Sequence, residues 1–489
     1  MLMQNFDIKG YDNNLQEYID LIRSQNSRWN MIPSHYYTQF NVKRGLRNAD
    51  GTGVLAGLTS IGEVHGYVID EGTKSPVEGK LRYRGIDVED IVAHCRAEKR
   101  FGFEETAFLL MFGFLPSEDL LEEFKKDLAS YRILPSEFTE DMILKAPSKN
   151  IMNKLARSVL ALYSYDDNPD DISIPNLLKQ SLSLIARFPV LIANSYACKR
   201  HYFDNQSLIL HNPVPEYSTA QNFLHLVRPD NKFTQLEAEI LDLTLMLQAE
   251  HGGGNNSAFA VHVLSSTGTD TYSAIAAAVG SLKGPKHGGA NDKMMSQMNE
   301  LKANIKDWED KDEIFEYLKK ILRKEAGDGK GLIYGLGHAV YTISDPRAVI
   351  LKERAAYLAE KIGHKKEFAL YSAVEELGPV AFKEVKGVSK PICANIDFYS
   401  GFVYSMLGIP QELFTPIFAM ARIVGWCAHR IEEITTGNRI IRPAYKSAVQ
   451  RLSYTPIEQR KTPTMADIEA TTVKNSERIK LTGAEESED

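Results

Sequence analysis

Thr234-Gln235-Leu236-Glu237 opens a run that passes through Ile240, Leu243 and Leu247 and reaches His251-Gly252-Gly253-Gly254-Asn255. A Thr followed three residues later by Glu is a capping-box pattern, in which each side chain satisfies a backbone N–H of the other residue. Leu236, Ile240, Leu243 and Leu247 then recur on one face, so the run reads as an amphipathic helix that ends near His251. The same period follows Ser117-Glu118-Asp119, where Leu120, Leu121, Phe124 and Leu128 line one face behind acids in the first turn. Strand signals are short and confined to residues 51–83, where glycines alternate with runs such as Val64-His65-Gly66-Tyr67-Val68-Ile69. No internal repeat and no alternating βα units are evident. The fold class expected is mainly α-helical, with a small β element near the start.

A chain of 489 residues has room for two or three domains with large cores. Its hydrophobic content of 43% and charged content of 25% are ordinary for a globular protein. The net charge of -7 gives no electrostatic reason to expect nucleic acid or an anionic membrane as partner. Cys95, Cys198, Cys393 and Cys427 are widely spaced, without a CxxC pair, and read as reduced, mostly buried thiols. The first residues lack the basic-then-apolar pattern of a signal peptide. No uncharged apolar run reaches the roughly 18 residues of a membrane span, so a cytoplasmic location is expected.

Residues 1–45 form a polar lead-in with room for a helix around Leu15 to Ile22, and residues 476–489 an acidic tail too polar to pack. The charged, amphipathic stretch of residues 307–330 reads as a helix with a solvated face.

Downstream of His251 come Lys286-His287-Gly288-Gly289-Ala290-Asn291, Gly335-Leu336-Gly337-His338-Ala339 and Asn395-Ile396-Asp397-Phe398. Histidine donates, accepts or carries a proton near neutral pH, and glycine lets backbone and ligand approach it. Each residue also has a structural reading. His251 can simply cap the helix before it, since the last carbonyls favour His. His287 follows the stop Gly284-Pro285 and sits on a tight loop. Asp345-Pro346-Arg347 reads as a helix start with Asp as N-cap and Pro at the first position. An Arg there opposes the helix dipole, which points to an anion beside it or to a surface side chain. Asp397, between Ile396 and Phe398, either hydrogen-bonds the backbone or is a base with a raised pKa.

Other chemistries are excluded. His251-Gly252-Gly253-Gly254 resembles an esterase oxyanion element, but no G-x-S-x-G elbow occurs in the chain. Gly335-Leu336-Gly337 begins like a dinucleotide fingerprint, yet Val340 stands where the third glycine belongs. The histidines lack H-x-x-x-H spacing, so a metal would need ligands assembled over long range, and none is expected.

Together, Gly284-Pro285-Lys286-His287-Gly288-Gly289-Ala290-Asn291, Gly335-Leu336-Gly337-His338-Ala339-Val340-Tyr341, Asp345-Pro346-Arg347 and Asn395-Ile396-Asp397-Phe398-Tyr399-Ser400-Gly401 resemble the motifs of the citrate synthase family. The resemblance covers roughly residues 43–455 and includes Leu81-Arg82-Tyr83-Arg84-Gly85-Ile86-Asp87, a pattern typical of bacterial members. It implies an all-α, two-domain fold and a homodimer. The large domain would comprise residues 46–291 and 408–475, and the small domain residues 292–407.

The implied activity is that of an acyltransferase. Acetyl-CoA condenses with oxaloacetate and water to citrate and CoA, through an enol(ate) and citryl-CoA, at the entry of the tricarboxylic acid cycle. By motif matching, Asp397 removes a methyl proton, His287 hydrogen-bonds the thioester oxygen and His338 polarises the ketone of oxaloacetate. His251, Arg347, Arg422 and Arg442 bind oxaloacetate, with Arg442 reaching across the dimer interface. No cofactor is implied, because acetyl-CoA is a substrate.

Two departures stand out. Thr342 takes a position where many relatives carry Lys or Arg near the CoA phosphates, and Gly252 replaces an acid often found after the first site histidine. Two rival readings remain: a 2-methylcitrate synthase using propionyl-CoA, since a methylene is discriminated by only about 1–3 kcal/mol, and a non-catalytic CoA-binding or structural relative.

Overall fold

The computed structural model describes residues 32–460, apart from residues 49, 71, 72, 388, 389, 438, 450 and 452. The lead-in helix near Leu15 and the acidic tail lie outside the described residues. The chain divides into two units, one of residues 1–55 with 442–489 and one of residues 56–441.

In the first unit, helix α1 (Ser34–Gln39) buries Tyr36. Arg47 bridges Gly53, and the Lys446 ammonium stands 4.2 Å from the centre of the Phe40 ring. Arg442 belongs to this unit and is exposed in the single chain.

The second unit opens with β1 (Gly62–Asp70), β2 (Thr73–Tyr83) and β3 (Ile86–Asp87), an antiparallel sheet in the order β1-β2-β3. Val64 pairs with Leu81, and a register shift between His65 and Tyr67 bends β1. Helices follow from there on: α2 (Val88–Ala97), α3 (Phe103–Phe112), α4 (Glu118–Tyr131), α5 (Ile151–Leu162), α6 (Ile174–Asp204), α7 (Thr219–Val227) and α8 (Gln235–Gln248). The remainder is α9 (Asn256–Ser265), α10 (Thr271–Lys283), α11 (Ala290–Asn304), α12 (Lys311–Arg323), α13 (Pro346–Ile362), α14 (Lys365–Lys386), α15 (Ile396–Met406) and α16 (Phe414–Thr436). The fold is all-α with a small sheet, as the hydrophobic periods predicted.

Local signals act where the sequence put them. Thr234 Oγ1 accepts from Glu237 N at 3.2 Å while Glu237 Oε2 accepts from Thr234 N at 2.7 Å, so the capping box starts α8. Ser117 Oγ accepts from Leu120 N to start α4. Within the 307–330 stretch, Lys311–Arg323 forms α12, which buries Ile314, Leu318, Ile321 and Leu322 together with Lys319 and leaves most of its other charges exposed. Cys95, Cys198 and Cys427 are buried and Cys393 is half-buried, all as free thiols.

Helix α6 is long and apolar enough to cross a membrane, although 83% of its apolar window is buried inside the protein. Its Phe188, Leu191 and Ile192 belong to the core, which explains the composition. α6 is a core helix, and Lys179, Arg187 and Lys199 leave it no uncharged run of membrane-spanning length, as the sequence predicted.

The sheet also positions the site. A Cβ on Gly79 in β2 would lie 2.1 Å from the Ser344 carbonyl oxygen, so only glycine lets β2 press against the segment leading into α13. The Ser344 hydroxyl donates to the Glu78 carboxylate, and the Gly79 N–H donates to Ser344 Oγ at 3.1 Å.

Candidate active site

One cavity in the second unit is lined by His251, His287, His338, Arg347, Asp397 and Arg422, together with Gln248, Asn255, Asn291, Tyr404, Phe414, Thr415 and Phe418. Six of the seven residues singled out from the sequence therefore meet in one place. Arg442 lies in the other unit.

His251 follows the end of α8, so that helix delivers it to the cavity. Burial, and then the nearby Arg347, His338 and Arg422, push its imidazole well below the usual histidine range. Its Nε2 is buried and has no hydrogen-bond partner. The ring meets that of His338 edge-on, with centroids 5.1 Å apart.

His287 lies on the turn between α10 and α11, as Gly284-Pro285 predicted. The turn is tied down by His287 N to Gly284 O at 2.9 Å, Gly288 N to Leu282 O at 2.9 Å, and Thr415 Oγ1 of α16 to Gly288 O at 3.0 Å. Burial lowers the His287 pKa to about 4, with Arg422 adding to the shift, so the ring is neutral at pH 7. Its Nε2 stands 3.1 Å from Ser257 Oγ, which also accepts from Trp426 Nε1 at 3.1 Å.

His338 sits after Gly335 (φ 79°) and Gly337 (φ 94°), two left-handed positions that suit glycine. Its Nδ1 accepts from Val340 N and Tyr341 N, both at 3.1 Å. A nitrogen that accepts twice carries no hydrogen, so the ring proton is on Nε2. The same loop is pinned to the start of α15: Gly337 N donates to Cys393 O at 2.8 Å, Asn395 N to Gly335 O at 2.9 Å, and Asn395 Nδ2 to Gly337 O at 2.9 Å. His338 and Asp397 are thus set by one short backbone pairing.

Asn395 caps α15 through Asp397 N at 3.0 Å, which puts Asp397 in the first turn. Asp397 is half-buried and lines the cavity. Burial raises its pKa to about 6 against the pull of Arg347 and Arg422, with Asp345 adding to the rise. This matches the raised-base alternative for Asp397.

Arg347 shows where its anion is. Asp345 caps α13 through Arg347 N and also takes Nε at 3.0 Å and Nη2 at 2.7 Å, all of it buried. Arg422, in the middle of α16, is only 1% exposed and gives Nε to Gln248 O at 2.8 Å. Its Nη1 and Nη2 are buried without a partner. Burial lowers its pKa to about 10, against the attraction of Glu250, which still leaves it charged at neutral pH. A buried guanidinium with two open donors beside the cavity calls for an anionic ligand.

Sequence reasoning missed Ser257 and Trp426, which hold His287, and it missed Glu250. Glu250 is fully buried, accepts from Gly252 N and sits 2.9 Å from His429 Nε2. A Cβ on Gly425 would come 2.3 Å from Glu250 Oε2, so α16 needs glycine there to pass the end of α8. The position of Glu250 next to His251 was the one available signal.

The family model described as citrate synthase, C-terminal domain, matches residues 49–444. The chain is similar to citrate synthase of a Synechocystis species, 33% identical over 78% of this chain and 89% of that one. It is also similar to 2-methylcitrate synthase 1 of Corynebacterium glutamicum, 32% identical over 86% of this chain and 98% of that one. Among solved structures, citrate synthase from Thermotoga maritima superposes with a TM-score of 0.67 at 32% identity, covering 86% of this chain and 100% of that one. A ternary complex of the Thermoplasma acidophilum enzyme with carboxymethyl coenzyme A and oxaloacetate gives 0.68 at 28% identity, covering 86% and 99%. With a family match over most of its length and relatives above 30% identity, the chain belongs to the citrate synthase family of acyltransferases.

Proposed function

We propose that this enzyme is a citrate synthase, condensing acetyl-CoA with oxaloacetate and water to give citrate and CoA. The observation that carries the proposal is the cavity that sets Asp397, with a pKa raised to about 6, beside neutral His287, His338 with its hydrogen on Nε2, and the two open amines of Arg422.

The methyl protons of a thioester are weakly acidic, so their removal takes a positioned base together with a donor at the oxygen that gains charge. Asp397 is the base. His287 is the donor, as a neutral ring that keeps one N–H. His338 Nε2–H polarises the ketone of oxaloacetate, and His251 completes that subsite as a second neutral imidazole. Arg347 and Arg422 receive its carboxylates, for which a planar guanidinium is suited. The new carbon–carbon bond joins the enolate carbon to the ketone carbon, and water then cleaves citryl-CoA.

In this reading Arg442 completes the oxaloacetate subsite of the partner in a homodimer. Residues 292–407 act as a small domain that closes over the substrates and excludes water, with residues 46–291 and 408–475 as the large one. The reaction needs no cofactor, and the cytoplasm is its location. Thr342 leaves one contact to the CoA phosphates without its usual cation.

A second reading, 2-methylcitrate synthesis from propionyl-CoA, is favoured by the C. glutamicum relative. Release of free thiol from acetyl-CoA and from propionyl-CoA, each with oxaloacetate, separates the two. A higher kcat/KM with acetyl-CoA supports citrate synthesis, a higher value with propionyl-CoA supports the second reading, and no release with either overturns both.

A further inference from the structure

Behind the cavity, α9 carries His262 and α16 carries His429, Glu432 and Glu433. His262 Nε2 and His429 Nδ1 face each other at 3.1 Å. The other nitrogen of each ring lies on a carboxylate: His262 Nδ1 is 2.8 Å from Glu433 Oε2, and His429 Nε2 is 2.9 Å from Glu250 Oε1. A carboxylate accepts only from N–H, so each ring spends a hydrogen on its carboxylate and turns a lone pair toward the other ring. Two nitrogens facing at this distance share a positive charge, either a second proton on one ring or a metal ion in its place.

A third donor is in place. Glu432 Oε2 is buried, makes no hydrogen bond and stands 3.7 Å from His429 Nδ1. Its other oxygen is fixed by Ser60 N at 2.7 Å and Ser60 Oγ at 2.8 Å. The three donor atoms of His262, His429 and Glu432 lie within 4.8 Å of one another. Tetrahedral zinc with bonds of about 2.0–2.1 Å spaces neighbouring donors by about 3.3 Å, so small side-chain adjustments close the set.

We propose that His262, His429 and Glu432 form a zinc site, with Glu250 and Glu433 as the carboxylates that orient its two histidines. A carboxylate behind each ligating imidazole is the arrangement that fixes the tautomer and raises ligand basicity. Glu250, Glu432 and Glu433 outnumber the nearby cations Arg84 and Arg422, which leaves negative charge for a divalent cation to offset. A side chain at residue 253 would crowd the ligands, since a Cβ on Gly253 would lie 3.2 Å from His262 Nε2, so glycine leaves room for a water as fourth ligand. The site clamps α9 to α16 and does not depend on the reaction proposed for the cavity. Sequence spacing gave no metal because the ligands come from two helices far apart in the chain.

The test is equilibrium dialysis of the chelator-treated full-length protein against zinc chloride, followed by thermal unfolding. We expect one Zn²⁺ per chain and a Tm raised by zinc, with both effects lost in His262→Gln. Glu433→Gln, which removes no ligand, should weaken binding about 10- to 100-fold. Far-UV circular dichroism checks the fold of both variants, and should His262→Gln fail to fold, Glu433→Gln decides alone. An absence of stoichiometric zinc uptake, or uptake unchanged in the variants, would overturn the site and show that the two rings share a proton.

Discussion

Ser257 Oγ stands 3.1 Å from His287 Nε2 and 3.1 Å from Trp426 Nε1, so one hydroxyl couples the turn that bears His287 to helix α16. The indole can only donate, which takes up one lone pair of the hydroxyl and helps aim its hydrogen. Ser257→Ala leaves the Trp426 N–H buried and unpartnered, at about 1–3 kcal/mol. It also removes the polar partner of His287 Nε2. We expect kcat/KM for the acyl-CoA to fall about 10-fold or more, approaching the 10²–10³ of losing an oxyanion donor outright, with oxaloacetate affinity unchanged. Steady-state kinetics and calorimetric titration check the split.

Asp397 must be ionised to act as a base, and burial raises its pKa to about 6. Between the unfolded value of 3.8 and about 6 the native state binds the extra proton, so the contribution of Asp397 to stability is present at low pH and lost as pH rises through 6. Activity runs the other way: kcat/KM should climb with pH and level off above about 6. His287, at about 4, adds no break in that window. Asp397→Asn should abolish turnover and raise Tm at pH 8, because a neutral amide replaces a buried charge. A pH–rate profile and a thermal melt of the variant read both effects.

Arg422 offers two buried amines in one plane. Arg422→Lys keeps the charge but loses the fork, so oxaloacetate should bind about 10- to 100-fold more weakly, at 1.4 kcal/mol per tenfold. Titration of the variant with oxaloacetate measures this.

If Arg442 serves the partner's site, an Arg442→Ala chain and an Arg422→Ala chain are each inactive alone. Mixed after reversible dissociation, they should regain activity, since one site of the hybrid lacks neither arginine. An assay of the mixture against each parent tests the exchange.

How much of this was legible depended on the range of the interaction. The caps at Thr234 and Asp345 and the tight turn at His287 are set within a few residues, and each formed where its sequence placed it. The motifs also delivered six cavity residues: five lie on short loops or at helix starts, and Arg422 lies in the middle of α16. What stayed hidden is long-range: the partnership of Ser257 with Trp426, the pairing of Glu250 with His429, and Gly79 against Ser344 join positions far apart in the chain. The dipole argument at Arg347 rightly asked for an anion, and Asp345 two residues earlier already supplies one.

The most direct test follows the methyl carbon of acetyl-CoA. Acetyl-CoA labelled with ¹³C at the methyl group is mixed with oxaloacetate and the enzyme, and the products are read by NMR. The label should appear in a methylene carbon of citrate, with one free thiol per citrate, and Asp397→Asn should leave the labelled thioester intact. Label recovered as acetate, or citrate formed at an undiminished rate by Asp397→Asn, would contradict the account.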